Sequence, residues 1–315
     1  MCVLSAESQA SKLFKREQAH KDSIWSVCWA KHAASALVTG SVDEVVASWE
    51  VRDDADKDHI ALKHAFGGHN LGAVSVACSP TAPLCVSSGM DSRLRLLDLE
   101  SGKLRSTIDA GPVECWTVSV SPDGQSVASG THTGAVNVWS LATGALERTL
   151  EAPEASFVLS VAHSPDGSRV AAGTKDGVVR LFDLRAGKAA SAIAHHSMPV
   201  RSLSFSPDGS LLFSACDDLT VGIFDAAKAT NVGSLRGHLS WVWSVACSPD
   251  NRTVATGSAD NAVKLWDIVE RSCIHTFDKA HSDTVHSVAF NLDGSRLASV
   301  GGEGNINVFA VAPQR

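Results

Sequence analysis

The sequence predicts an all-β fold: seven consecutive β-meanders closed into one ring. Two observations carry this expectation, a complete meander in one segment and the return of its marks at a fixed period. The segment Gly237 to Ile268 (GHLSWVWSVACSPDNRTVATGSADNAVKLWDI) opens with Gly237-His238 and runs through an apolar strand, Trp241 to Cys247. It turns at Ser248-Pro249-Asp250-Asn251, gives a second strand from Thr253 to Gly257, turns again between Ser258 and Asn261, and ends a third strand at Trp266-Asp267. Short β-type runs separated by Pro-, Gly- and Asn-containing turns make hairpins rather than helices. One such unit buries no core alone, so the units must pack on one another.

In chain order, residues 1–11 are small and polar and are expected to be flexible, and Lys12 to Gln18 (KLFKREQ) predicts one amphipathic strand. The first full unit runs from Ala19-His20 to Trp49-Glu50, and residues 51–64, rich in Asp, Lys and His, are expected to form a lengthened solvent loop. Later units end at Leu97, Trp139, Phe182, Phe224, Trp266 and Phe309, which after the stretched first interval is a period of about 42 to 43 residues. That is the period of four-stranded propeller blades, and seven units imply seven blades around a central channel. The segment before each Gly-His start, such as Cys273 to Phe277, supplies a blade's fourth strand. The last unit has little chain left after Val311, so the 12–18 strand is expected to complete it and close the ring, removing an open β edge.

The bulk properties exclude some classes. A formal net charge of -7 offers no general attraction for phosphate backbones, and no Lys/Arg cluster offsets it, so no direct nucleic-acid binding is expected. The eight cysteines form no C-x-x-C pair, and Cys78 and Cys247 occupy equivalent places in two units, as apolar filler would. That usage favours a reducing compartment. No segment approaches the length of a membrane span, and MCVLSAESQASK lacks the marks of a secretory leader. The 13 histidines mostly occupy unit starts or lone loop positions, and no cofactor or metal site is expected.

The Gly-His, Ser-Pro-Asp-Gly, Gly-Ser-x-Asp and Trp-Asp marks at this spacing resemble those of WD-repeat β-propellers, over roughly residues 12–312. Six residues before the end markers stand Asp43, Asp91, Asp176, Asp218, Asp260 and Glu303, with Thr133 in the third unit. Together with His20, Ser41 and Trp49, or with His238, Ser258 and Trp266, Asp43 and Asp260 superficially form a His/Ser/Asp hydrolase set. Repetition argues against catalysis, because a nucleophile is needed once. The resemblance implies instead a buried hydrogen-bonded network that fastens each blade, complete in two units. Units with Gly89, Cys216 or Gly301 at the hydroxyl position are expected to lean more on packing.

The fifth position before each Ser-Pro-Asp turn is Trp25, Val74, Trp116, Leu159, Arg201, Trp243 and His286. In WD-repeat propellers this start of the inner strand reaches the top face near the channel mouth. Trp25, Trp116, Arg201, Trp243 and His286, with Trp241 and Phe157 close by, are therefore the expected partner-binding residues, since Trp and Arg are favoured interface anchors. The residue before the turn acid faces the same side in this family, which adds Met90, His132, Lys175 and Asp217. The bland alternative is that the tryptophans pack between blades.

Longer stretches, including LFKREQAHKDSIWSVCW, DAGPVECWTVSVSPDGQSVASGTHTG and SFVLSVAHSPDG, resemble the small WD-repeat subunit of the superkiller RNA-decay and polymerase-associated-factor complexes. That likeness implies a non-catalytic scaffold, a monomeric subunit of a hetero-complex whose partners are tetratricopeptide and helicase proteins. It also implies residence in cytoplasm and nucleus, and top-face docking of a short peptide. A scaffold in another large assembly, cytoskeletal or ciliary, is the alternative, and a propeller enzyme is a weaker one, because no unrepeated polar cluster marks the channel mouth.

Overall fold

The structure is a computed structural model that describes residues 10–30, 35–53, 58–111 and 116–312. Its described elements are strands grouped in seven four-stranded antiparallel sheets. Blade 1 shows the pattern: inner strand Ile24–Trp29, then Ala36–Ser41, Val46–Val51 and outer strand Ile60–Phe66. Blades 2 to 6 repeat it over residues 73–109, 118–150, 158–194, 200–236 and 242–277. Each inner strand packs against the inner strands of both neighbouring blades, and the chain of contacts returns from blade 7 to blade 1, so the ring is closed.

Closure comes from the N-terminal segment. Ala10–Arg16 pairs antiparallel with Ile306–Val311, from Ala10 opposite Val311 to Arg16 opposite Ile306. The expected bounds shift: Ala10 and Ser11, placed in a flexible tail by their small polar character, are strand, whereas Glu17 and Gln18 lie in the following turn. Gln18 has a φ of 49°, and its amide donates to Asn305 Oδ1 at 2.8 Å. The rest of the expected tail, residues 1–9, lies outside the described residues. The 51–64 loop also needs correction, because Val51 ends one strand and Ile60–Phe66 is the outer strand of blade 1. Its polar composition misled: an outer strand faces solvent on one side, so the exposed Lys63 sits in it without burial cost. Residues 54–57 lie outside the described residues.

The core lies between blades. The seven end markers Trp49, Leu97, Trp139, Phe182, Phe224, Trp266 and Phe309 are all buried, each within an apolar cluster. A cluster draws on two sheets at once: Ile24, Leu37 and Trp49 of blade 1 pack with Val300, Ile306 and Val308 of blade 7. This is why one blade has no independent stability.

Candidate functional site

Two sets of side chains stand out, and geometry separates them. The first is the His/acid set. In blade 6, His238 Nδ1 lies 2.8 Å from Asp260 Oδ2 and His238 Nε2 lies 2.7 Å from Thr256 Oγ1, while Trp266 Nε1 donates to Thr256 Oγ1 at 2.8 Å. A carboxylate only accepts, so Nδ1 carries the proton and Nε2 accepts from the threonine hydroxyl. The result is one directed chain, Trp266 to Thr256 to His238 to Asp260. The Leu239 and Ala262 amides also donate to Asp260. Burial alone would raise the Asp260 carboxyl, but the His238 and Leu239 hydrogen bonds hold it well below the usual carboxylate range. Blade 1 repeats the chain through Trp49, Thr39, His20 and Asp43.

The bridging hydroxyl is therefore Thr39 or Thr256, two residues before the expected Ser41 and Ser258. Those serines instead bond backbone: Ser41 Oγ donates to Ser23 O at 2.9 Å and accepts from the Asp43 amide, and Ser258 Oγ donates to Ser240 O and accepts from the Asp260 amide. The shift in register also changes the reading of the other units. His69 with Ser87 and Asp91, His196 with Ser214 and Asp218, and His281 with Ser299 and Glu303 keep the hydroxyl, His and acid without the Trp donor, and in blade 2 the Arg95 guanidinium also contacts His69 Nδ1. Burial would raise Asp218, yet the His196 hydrogen bond leads the contacts that bring it down to about 2. Gly89 is not a lost hydroxyl but a space, since a Cβ there would lie 2.2 Å from His69 Nδ1. Among the described residues of blade 3, the part of this chain that is present is the Trp139 to Ser129 bond, at 3.0 Å. In blade 4 the buried Arg180 pairs with Glu154 at 2.8 Å instead. The relay hydroxyls of Thr39, Ser87, Ser214, Thr256 and Ser299 are all fully buried.

The second set surrounds the upper end of the channel. A cavity of about 150 Å³ is lined by Trp25, Val74, Trp116, Leu159, Arg201, Trp243 and His286, one residue from each blade. Trp25 stacks at a tilt on Trp116 at 5.6 Å and meets His286 edge-on at 6.3 Å. Trp116 meets Phe157 at 5.9 Å, and His286 meets Trp243 at 5.3 Å. Arg201 lies 4.6 Å over the Trp243 ring, a cation–π contact. These rings are half-buried and touch one another around the mouth rather than disappearing between blades.

Other expected top-face residues separate. Asp217 is only 4% exposed and clamps Arg201 through Nε at 3.0 Å and Nη2 at 2.7 Å, which holds the guanidinium in place. Trp241, 46% exposed, does not line the mouth but stands outside it near the exposed Leu239. Met90, His132 and Lys175 are exposed on the loops around the rim.

Sequence reasoning missed a layer directly below. Ser26, Ser75, Thr117, Ser160, Ser202, Ser244 and Ser287 also line the cavity. Their hydroxyls stitch blades together: the Val76 amide donates to Ser26 Oγ, Val118 to Ser75, Val245 to Ser202, Val288 to Ser244, and Val27 to Ser287, at 3.0–3.3 Å. The signal was present as a Ser or Thr four residues before the turn in every unit.

Comparison with known proteins agrees with this architecture. The family described as "Nucleolar protein 10-like, N-terminal domain" matches residues 70–240, and "WD domain, G-beta repeat" matches residues 229–267 and 271–309. The chain is 38% identical over 151 residues to WD repeat-containing protein SL1-17 of Schistosoma mansoni, covering 47% of this chain and 48% of the relative. It is 38% identical over 203 residues to WD repeat-containing protein VIP3 of Arabidopsis thaliana, covering 59% and 61%. It is 32% identical over 97 residues to Superkiller complex protein 8 of Dictyostelium discoideum, covering 31% and 30%. The first two matches thus span about half to three fifths of those relatives' own length. With one family profile across more than half its length, repeat matches in two blades and a closed ring of seven four-stranded sheets, the chain belongs to the WD-repeat β-propeller family.

Proposed function

We propose that this propeller is a non-catalytic scaffold that docks a partner peptide at the upper channel mouth, as a subunit of a superkiller-type RNA-decay complex, a polymerase-associated-factor-type elongation complex, or both. WD-repeat propellers are protein-interaction domains, and the similarity to Superkiller complex protein 8 supports the choice of assembly. The observation that carries the docking site is the unrepeated ring of Trp25, Trp116, Phe157, Trp243, His286 and Arg201 on an otherwise repetitive framework. Half-buried aromatics already held in place lose little side-chain freedom on binding, and an arginine pre-set by Asp217 offers a carboxylate or carbonyl acceptor a fixed donor. On this reading the partners are tetratricopeptide and helicase subunits, and the protein works in cytoplasm and nucleus.

The test is reconstitution with purified tetratricopeptide and helicase subunits of a superkiller complex. A stable ternary complex that Trp116→Ala and Trp243→Ala weaken supports the proposal. Assembly that neither substitution changes removes the mouth as the docking site, and no assembly at all removes the superkiller assignment.

A further inference from the structure

At the lower end of the channel one blade interface is filled by sulfur alone. Cys28 on the inner strand of blade 1 lies with its Sγ 3.0 Å from Cys78 Sγ on the inner strand of blade 2. Cys85, the cross-strand partner of Cys78, completes a group whose three sulfurs all lie within 4.8 Å of one another. The equivalent places at the other blade interfaces hold different chemistry. They are Ala77 with Val120 and Val127, Ala162 with Phe205 and Leu212, Ala246 with Phe290 and Leu297, and Ala289 with Trp29 and Leu37. Ser119 with His163 and Val170, and Ser204 with Cys247 and Val254, fill the remaining two. Filler explains a thiol at any one of these positions, as at Cys247. It does not explain three of the chain's eight cysteines meeting at one interface.

We propose that Cys28, Cys78 and Cys85 form a three-thiol capture site for a trivalent thiophilic ion of the arsenic(III) type. Sulfurs bound at roughly 2.3 Å around a trigonal centre lie about 4 Å apart, and closer around a pyramidal one, a spacing inside the 4.8 Å span of the three sulfurs that the Cys28–Cys78 pair reaches by opening from 3.0 Å. Such a centre needs three thiols and no fourth ligand, whereas a structural zinc asks for four. Charge points the same way. The group is packed among Val38, Val76, Leu97 and Leu99, where a site left with net negative charge would be costly. Arsenous acid and three thiols condense to a neutral tris-thiolate with release of three waters: three As–S bonds form, three As–O and three S–H bonds break, and no oxidant is needed. Entry is open, because Cys28 and Cys78 line the lower channel cavity of about 630 Å³, with Cys85 buried behind them.

The experiment titrates the full-length, phosphine-reduced chain with arsenite under anaerobic conditions, read by native mass spectrometry. The expected adduct is one arsenic per chain with loss of three hydrogens. Cys28→Ala, which installs the residue most other interfaces carry, and Cys78→Ser should each weaken binding by no less than the tenfold or so that loss of an outer-shell partner costs. Cys273→Ser on the exposed outer strand should leave it unchanged. Melting of each variant before arsenite is added establishes that it is folded, and Cys28→Ala, at a half-buried position, keeps the test decisive if Cys78→Ser is not. No adduct, an adduct that loses only two hydrogens, or binding undiminished in Cys28→Ala would each overturn the proposal.

Discussion

The two ends of the channel are built by the same seven inner strands and yet differ in kind. At the lower end, the Ser-Pro turns present Pro80, Pro122, Pro165, Pro207 and Pro249 around a wide opening, nearly the same residue from blade to blade. At the upper end the seven blades contribute Trp25, Val74, Trp116, Leu159, Arg201, Trp243 and His286 around a narrow one. Repetition marks positions whose task is local and the same in each blade, such as ending a strand or bonding the next blade. Variation at equivalent positions marks a surface that no blade needs for itself. The contrast teaches that the framework and the recognition surface occupy different residues of the same strands, and that each can be altered separately.

Breaking the ring should erase both ends at once. Removing residues 1–16 leaves Ile306–Val311 with an unpaired edge, and the expected result is aggregation or loss of a single cooperative melting transition. Unchanged melting of that truncated chain would show that closure does not depend on the N-terminal strand. A smaller and purely structural loss is expected from Trp266→Ala, which removes a fully buried ring and its bond to Thr256 and should cost about 3 to 5 kcal/mol in chemical denaturation. Asp260→Asn leaves the volume intact but replaces the acceptor that His238 and two amides address, and should cost roughly 1 to 3 kcal/mol. For either variant, partner affinity per folded molecule should stay at the wild-type level if fastening and recognition are separate.

Much of this was legible in the sequence, and the failures have physical causes. The end markers, the turns and the closing strand follow from a period and from turn chemistry, which are local. The mouth residues could be found because an inner strand starting at a fixed offset from a turn must bring the same position to the same height in every blade. The relay hydroxyl was misplaced by two residues because Thr256 and Ser258 point to the same side of one strand, and only the depth of His238 decides which of them it meets. That Asp217 pairs with Arg201, 16 residues earlier, was not legible, because the two meet across a strand pair. The meeting of Cys28 with Cys78 and Cys85 spans two blades, and no pattern along one chain segment contains it.

The lower end also carries a pH signature. His163 lines the lower cavity, and burial pulls it down to about 4, with Nδ1 bonded to Ser119 Oγ at 3.0 Å. The unfolded chain takes up this proton below about pH 6.5 while the folded chain resists until about pH 4, so stability should fall as pH drops through that window. His163→Phe, which copies Phe205 and Phe290 at the equivalent positions, should flatten this part of the profile in pH-dependent melting. A profile that keeps its full slope would assign the effect to other groups.

The separation of framework from recognition is tested most directly by measuring, on the same preparation of Trp243→Ala, both the melting temperature and the affinity for the purified partner subunit. Trp243 is half-buried at the mouth and outside the relay, so the account predicts an affinity loss of about 2 kcal/mol or more, roughly thirtyfold, with melting shifted by only a few degrees. A protein that unfolds, or one that melts and binds as the wild type does, would contradict it.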